Sequence, residues 1–283
     1  MTADAFILTL SCPDRAGIVH AVTGVLAAQG GNISEAAQFN DQGTGLFFMR
    51  VRFAAPGATV ASLSAPLAEL AGTLAMKWQL HGALERLPTV ILVSKLGHCL
   101  NDLLFRYRSQ LVPLDIRAIV SNHRDYYQLS ASYDIPFHHI PVTAATKPQA
   151  EARLLEIVNA EKAELVVLAR YMQVLSDDLC RALVGRAINI HHSFLPSFKG
   201  AKPYWQAHER GVKIIGATAH FVTEQLDEGP IIAQAVVPID HSYRPEEMAQ
   251  AGRDVEKIVL AKALKLVFEE RVFLNGSRTI VFD

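Results

Sequence analysis

The run Leu165-Val166-Val167-Leu168 is apolar at every position, and Thr89 to Val93 follows the same pattern. A strand open to water on one face alternates apolar and polar residues. A run without alternation must be covered on both faces, as in a parallel sheet between helices. The surrounding chain supplies those helices over Cys99–Arg108 and Lys147–Glu161, and further strands over Ile116–Val120, Phe137–Ile140 and Ala187–Ile190. Strand–helix alternation predicts right-handed crossovers and a doubly wound, mostly parallel α/β sheet. Val212–Phe221 and Ile231–Ile239, joined through Glu228-Gly229-Pro230, predict an antiparallel pair. Arg244–Glu269 predicts a long closing helix, with Val255, Ile258, Val259, Ala263 and Leu266 as its core stripe.

The segment before this follows another rhythm. Strands are expected over Phe6–Leu10, Ile33–Phe39, Leu46–Phe53 and Met76–Leu80, with helices over Ile18–Ala28 and Val60–Ala71. The order βαββαβ is the ferredoxin-like pattern. The expected division is a small N-terminal domain over residues 1–82, a linker over 83–88 and a larger domain over 89–283.

Half of the 283 residues are hydrophobic and 19% are charged, the balance of a well-cored protein. Lys and Arg number 27 against 28 Asp and Glu, a net charge of -1. That balance excludes a broadly basic nucleic-acid binder. Cys12, Cys99 and Cys180 are odd in number and widely spaced, so neither a disulfide framework nor a cysteine zinc knuckle is expected. The first residues lack a signal-peptide pattern, and no apolar run is long enough to span a bilayer. A cytoplasmic protein without membrane contact is expected.

Ligands of open α/β sheets bind beyond the carboxyl ends of the strands. The most polar such end is Asn189-Ile190-His191-His192-Ser193. Positions i and i+2 share a face, so Asn189 and His191 point together. An Asn amide can hold an oxyanion, and an imidazole can move a proton near neutral pH. Asp227, beside Gly229-Pro230, is the carboxylate placed to assist His191, with His220 as its expected hydrogen-bonding partner. The adjacent pairs His138-His139 and His191-His192 should send their rings to opposite faces, and no His-Glu-x-x-His motif is present. No metal is expected. His98 and the remaining isolated histidines are expected to be ordinary polar residues.

Asn189 to Gly200, NIHHSFLPSFKG, resembles the signature of the folate-dependent formyltransferase fold, and Gly216 to Ile232, GATAHFVTEQLDEGPII, resembles its second signature. The spacing of 36 residues from His191 to Asp227 matches as well. Leu168 to Ser176, LARYMQVLS, is similar to the strand-end loop that lines the folate pocket. Residues 5–80 resemble an ACT domain, with Pro13-Asp14-Arg15 and Gly17 at its strand-to-helix turn. An ACT domain ahead of such a domain resembles the formyltetrahydrofolate deformylase family. His192 stands where many transformylases carry Pro, as the deformylase branch implies, and Gln173 stands where the purine-pathway enzyme commonly has Arg.

The resemblance implies hydrolysis of 10-formyltetrahydrofolate to formate and tetrahydrofolate, with folate as substrate and no separate cofactor. It implies Asn189, His191 and Asp227 as the catalytic set, with His192, Ser193 and His220 behind them. Met172, Val174, Leu175, Val222, Thr223, Glu224 and Gln225 are the implied folate pocket. Whether His191 or Asp227 takes the water proton stays open at this stage. The loop Ser94-Lys95-Leu96-Gly97-His98 has one glycine and bulky neighbours, a poor nest for a substrate phosphate. Water is therefore the expected formyl acceptor. The alternatives are transfer to an amine acceptor and a catalytically dormant folate or amino-acid sensor. An ACT domain further implies a homo-oligomer, a dimer or tetramer, and an amino-acid effector such as glycine or methionine held at Asp14, Arg15, Gly17 and Asn32.

Overall fold

The computed structural model describes residues 5–197 and 203–283. Phe198-Lys199-Gly200, the end of the first signature, lie outside the described residues. The chain forms two compact units.

The first unit contains β1 (Ala5–Pro13), α1 (Ile18–Ala28), β2 (Asn32–Asp41), β3 (Leu46–Ala54), α2 (Val60–Leu74) and β4 (Lys77–Gly82). The expected βαββαβ order is present, in an antiparallel sheet of order β2-β3-β1-β4. Alternate residues of β1 and β3, Phe6, Leu8 and Leu10 with Met49, Val51 and Phe53, share one core with Ile18, Val22, Leu63 and Leu67 of the two helices. The period of two in the strands and the helical spacing in α1 and α2 converge on the same buried layer.

The other sheet face carries Phe48 and Arg50, both 1% exposed. Phe273 meets Phe48 edge-on, with ring centroids 5.7 Å apart. Arg50 donates from Nε to the Glu269 carbonyl at 2.6 Å, and its Nη1 lies 3.2 Å from Glu35. Arg271 reaches the same carboxylate at 2.8 Å. Glu269–Phe273 and Ile280–Asp283 accordingly belong to the first unit. The expected division, which left everything after residue 88 in the second domain, differs here. A sheet face bearing an aromatic and an arginine needs cover, and the C-terminal segment supplies a ring, a carbonyl and a second arginine.

The second unit is built from β5 (Leu87–Val93), α3 (His98–Arg108), β6 (Leu114–Ser121), α4 (Tyr127–Ala131), β7 (Phe137–His139), α5 (Lys147–Ala160), β8 (Leu165–Leu168), α6 (Asp177–Ala182), β9 (Ala187–His191), α7 (Pro203–Glu209), β10 (Ile214–Phe221), β11 (Ile231–Pro238) and α8 (Pro245–Phe268). A short hairpin follows, β12 (Val272–Asn275) and β13 (Arg278–Val281), which the sequence reading did not contain. The seven-stranded sheet has the order β11-β10-β9-β8-β5-β6-β7. The strands from β9 to β7 run parallel, and β10 and β11 are antiparallel additions. β5 and β8 flank the point where the strand order reverses, where such sheets open a crevice.

Val259, Ala263 and Leu266 of α8 face the core as expected, but Ile258 is exposed and Val255 half-buried, and Met248, Gly252 and Glu256 complete the inward row instead. A carboxylate, Glu256, lies in the middle of this apolar row at 1% exposure. Among the described residues, no helix is long and apolar enough to cross a membrane.

Removing one partner of a buried ion pair costs about 3–5 kcal/mol, because the other charge is left uncompensated. Arg50→Ala should lower the opening free energy of β1–β3 amides by about that amount. Hydrogen exchange read by mass spectrometry measures it. Arg52→Ala, on the same strand and without an ion pair among the described residues, should change it by less than about 1 kcal/mol.

Candidate active site

β9 and β10 are antiparallel neighbours, and their register sets Asn189 directly opposite His220. The β10–β11 register shifts between Ala219 and His220, the kind of bulge that re-aims a side chain at a strand end. His220 Nδ1 donates to the Phe221 carbonyl at 2.8 Å, and Nε2 lies 3.3 Å from Asn189 Nδ2. Burial pushes the His220 pKa down, so the ring is neutral. With its proton on Nδ1, Nε2 can only accept, and it takes one N–H of the Asn189 amide. The second N–H of that amide has no partner among the described residues and can donate.

After β10 the chain turns through Asp227 and returns at Pro230, where the Phe221 N–H donates to the Pro230 carbonyl at 2.9 Å. A Cβ at Gly229 would collide with the Phe221 carbonyl oxygen, so this tight return requires glycine. The turn brings Asp227 Oδ1 to 3.2 Å from His191 Nδ1. His191 therefore donates from Nδ1 and presents Nε2, which is buried and has no hydrogen-bond partner among the described residues. Burial alone would raise the Asp227 pKa, but the His191 hydrogen bond and the neighbouring histidines hold it below the ordinary carboxylate value.

Two expectations are corrected here. The partner of Asp227 is His191, with His220 Nε2 further away at 3.9 Å. His191 and His192 do not diverge, their ring centroids lying 5.0 Å apart. β9 ends at His191, so strand alternation no longer governs the next residue. Burial, then the charges of Arg170 and His191, push the His192 pKa down to about 3.

Asn189, His191, His192, His220 and Asp227 line one cavity of about 320 Å³. Met172, Val174, Leu175, Val222, Thr223 and Glu224 form its other walls, as expected. Gln225 is not among the lining residues; its carbonyl accepts bonds from Thr223 Oγ1 and the Glu228 N–H inside the turn. The Glu224 carboxylate is tied to Arg181 at 2.6 Å. Ser193 faces a second, smaller cavity of about 110 Å³, and its hydroxyl donates to the Ser197 carbonyl. The loop after β8 is clamped across the reversal point. The Ser94 N–H donates to the Arg170 carbonyl at 3.2 Å, and the Met172 N–H donates to Ser94 Oγ at 2.9 Å.

The sequence reading missed Arg170 and Glu256. Arg170 lines the cavity and is 7% exposed. Its Nε lies 3.4 Å from Glu256 Oε2, which also receives His98 Nε2 at 2.7 Å, while Tyr204 donates to Oε1 at 2.9 Å. A charged residue ending the apolar run from Leu165 to Ala169, and a glutamate inside an apolar helix stripe, were the available signals. His98, Cys99 and Glu256 also lie close enough together to hold a metal ion. Burial raises the Cys99 pKa, keeping it a thiol, and the carboxylate already has three hydrogen-bonding or charged partners. The chemistry of this set fits a hydrogen-bonded network.

In the first unit, Gly17 precedes α1 at φ 91° with no side-chain cap on the helix. Asp14 accepts from Asn40 Nδ2 at 2.5 Å, and Arg15 donates to the Thr73 carbonyl at 3.1 Å. Asn32 is exposed at the start of β2.

Residues 88–264 match the formyl transferase family, and residues 6–61 match the ACT domain family. A formyltetrahydrofolate deformylase of Corynebacterium sp. (strain P-1) is 53% identical over 97% of both chains. The chain belongs to the formyltetrahydrofolate deformylase family. The crystal structure of a deformylase from Burkholderia mallei superposes with a TM-score of 0.95 at 53% identity, covering 99% of this chain and 100% of that one. A glycinamide ribonucleotide transformylase from Symbiobacterium toebii is 31% identical, with a TM-score of 0.66 over 72% of this chain and 97% of its own.

His192 is depressed from its ordinary 6.5 to about 3. Between those values the unfolded chain binds a proton that the folded one refuses, so stability rises with pH across this window and is lost as pH falls. His192→Gln should flatten the melting-temperature profile between pH 4 and 6.5, measured by differential scanning fluorimetry. An unchanged slope would contradict the assignment.

Proposed function

We propose that the protein hydrolyses 10-formyltetrahydrofolate to formate and tetrahydrofolate, with water as the formyl acceptor. The observation that carries this is the His191–Asp227 pair at 3.2 Å, with a buried His191 Nε2 that has no partner among the described residues, in the cavity that Asn189 also lines. His191 Nε2 takes a proton from water as the water oxygen bonds to the formyl carbon. The carbonyl pair moves to oxygen and is held by the free N–H of Asn189. Asp227 supports the imidazolium through Nδ1. The carbon–N10 bond then breaks, its electron pair takes the proton from His191 Nε2, and the formic acid released ionises to formate. Asn189, His191 and Asp227 supply donor, base and counter-charge themselves, so no cofactor or metal enters this reading.

The apolar side chains of Met172, Val174 and Leu226 stand exposed along the cavity, a surface suited to a flat aromatic pterin. The loop after β5 supports water over a phosphorylated acceptor. A Cβ at Gly97 would collide with the Tyr126 ring, whose hydroxyl donates to the Lys95 carbonyl at 2.9 Å. The loop's one glycine thus serves ring packing rather than an open anion nest. The same reading includes formate supply for purine synthesis, balance of the one-carbon folate pool, a cytoplasmic location, no nucleic-acid partner and a dimer or tetramer of the chain. It places glycine or methionine at Asp14, Arg15, Gly17 and Asn32 as an effector.

Formate release without any added acceptor, followed with formate dehydrogenase, tests the activity. Asn189→Asp should lower turnover about 100–1000-fold, and Asp227→Asn about 100–10,000-fold. Near-wild-type rates in either variant would overturn the mechanism. For the effector, calorimetric titration with glycine and methionine should give heat together with a rate change. Asp14→Ala should abolish both.

A further inference from the structure

Among the described residues, seven non-glycine residues adopt positive φ: Ala75, Gln110, Asp134, Lys162, Glu270, Arg170 and Asp227. The first five each follow the end of a helix, where a left-handed residue is the ordinary way to stop. Arg170 lies two residues past the end of β8 and Asp227 in the turn after β10, and both line the catalytic cavity. Strain that local structure does not require marks a residue whose side chain must point one particular way. For Asp227 that direction leads to His191. For Arg170, at φ 65°, it leads into the cavity wall beside His192.

The Arg170 side chain is 8% exposed and has an ion-pair contact with Glu256 at 3.4 Å. Its Nε makes no hydrogen bond among the described residues. The Glu256 carboxylate is shared with His98 and Tyr204, so it offsets the arginine charge without using its planar fork of donors. A guanidinium presents N–H groups matched to both oxygens of a carboxylate. Resting on the proposed hydrolysis, the reaction makes a small planar carboxylate in this same cavity, beside the negative Asp227.

We propose that Arg170, with Glu256 as its fixed counter-charge, is a binding site for a small monocarboxylate, the formate product. Arg170 draws the new anion away from Asp227. Glu256 keeps the hold weak enough for release.

Direct binding separates this from the hydrolysis reading, because it needs no turnover. Sodium [13C]formate is titrated onto the full-length free enzyme and followed by carbon NMR line width. Saturable broadening is expected with wild type. Arg170→Gln should weaken formate binding at least tenfold. Arg170→Lys, which keeps the charge but not the fork, should fall between them. Glu256→Gln removes the counter-charge and should tighten binding severalfold, a change that a merely space-filling network would not give. Circular dichroism establishes that each variant is folded. No saturable binding in wild type, equal affinity in a folded Arg170→Gln, or no tightening in a folded Glu256→Gln would overturn the proposal. Absence of acceptor-free hydrolysis would instead strike the activity.

Discussion

The antiparallel pairing of β9 with β10 is the constraint on which the site depends. It places His220 across from Asn189 and starts the turn that carries Asp227 back to His191. Each group then fixes the next. The Phe221 carbonyl holds the proton of His220 on Nδ1, and the bare Nε2 orients the Asn189 amide. Asp227 holds the proton of His191 on Nδ1, leaving Nε2 bare and without a partner among the described residues. One backbone register therefore determines two tautomers and one amide orientation, before any substrate arrives.

Burial gives the cluster its charge pattern. His192 and His220 are held neutral by desolvation, and Asp227 is held ionised by its histidine partners. A crowd of three histidines would be self-repelling if all were charged. Here neutral rings surround one acid–base pair. Arg170 in the cavity wall is paired behind it with the buried Glu256, so the wall carries a cation, Arg170, and an anion, Asp227, among apolar residues.

The first unit solves a different problem with similar means. Its sheet has a helix-covered face and a face that carries Phe48 and Arg50. The end of the chain returns to cover the second face through Phe273, the Glu269 carbonyl and Arg271. A four-stranded sheet with one open apolar face would be marginal by itself, and this return completes its burial.

The amino-acid sequence determined the βαββαβ order of the first unit and the main strands and long helices of the second, because period-two strands, helical stripes and unbroken apolar runs are local patterns, whereas the short helices α4, α6 and α7 and the β12–β13 hairpin carry no such pattern. It also placed Asn189, His191 and Asp227 together, since their motifs sit at strand ends and a glycine turn. Tertiary structure decided what depends on rotation, register or long-range return. The helix α8 turned Ile258 out and Glu256 in. The end of β9 let His191 and His192 face the same cavity. His98 and Arg170 met Glu256 across distant segments, and the last residues joined the first unit. Local pattern tells which face of an element is apolar. It does not tell which distant group will meet a buried charge, because that partner is chosen by packing in three dimensions.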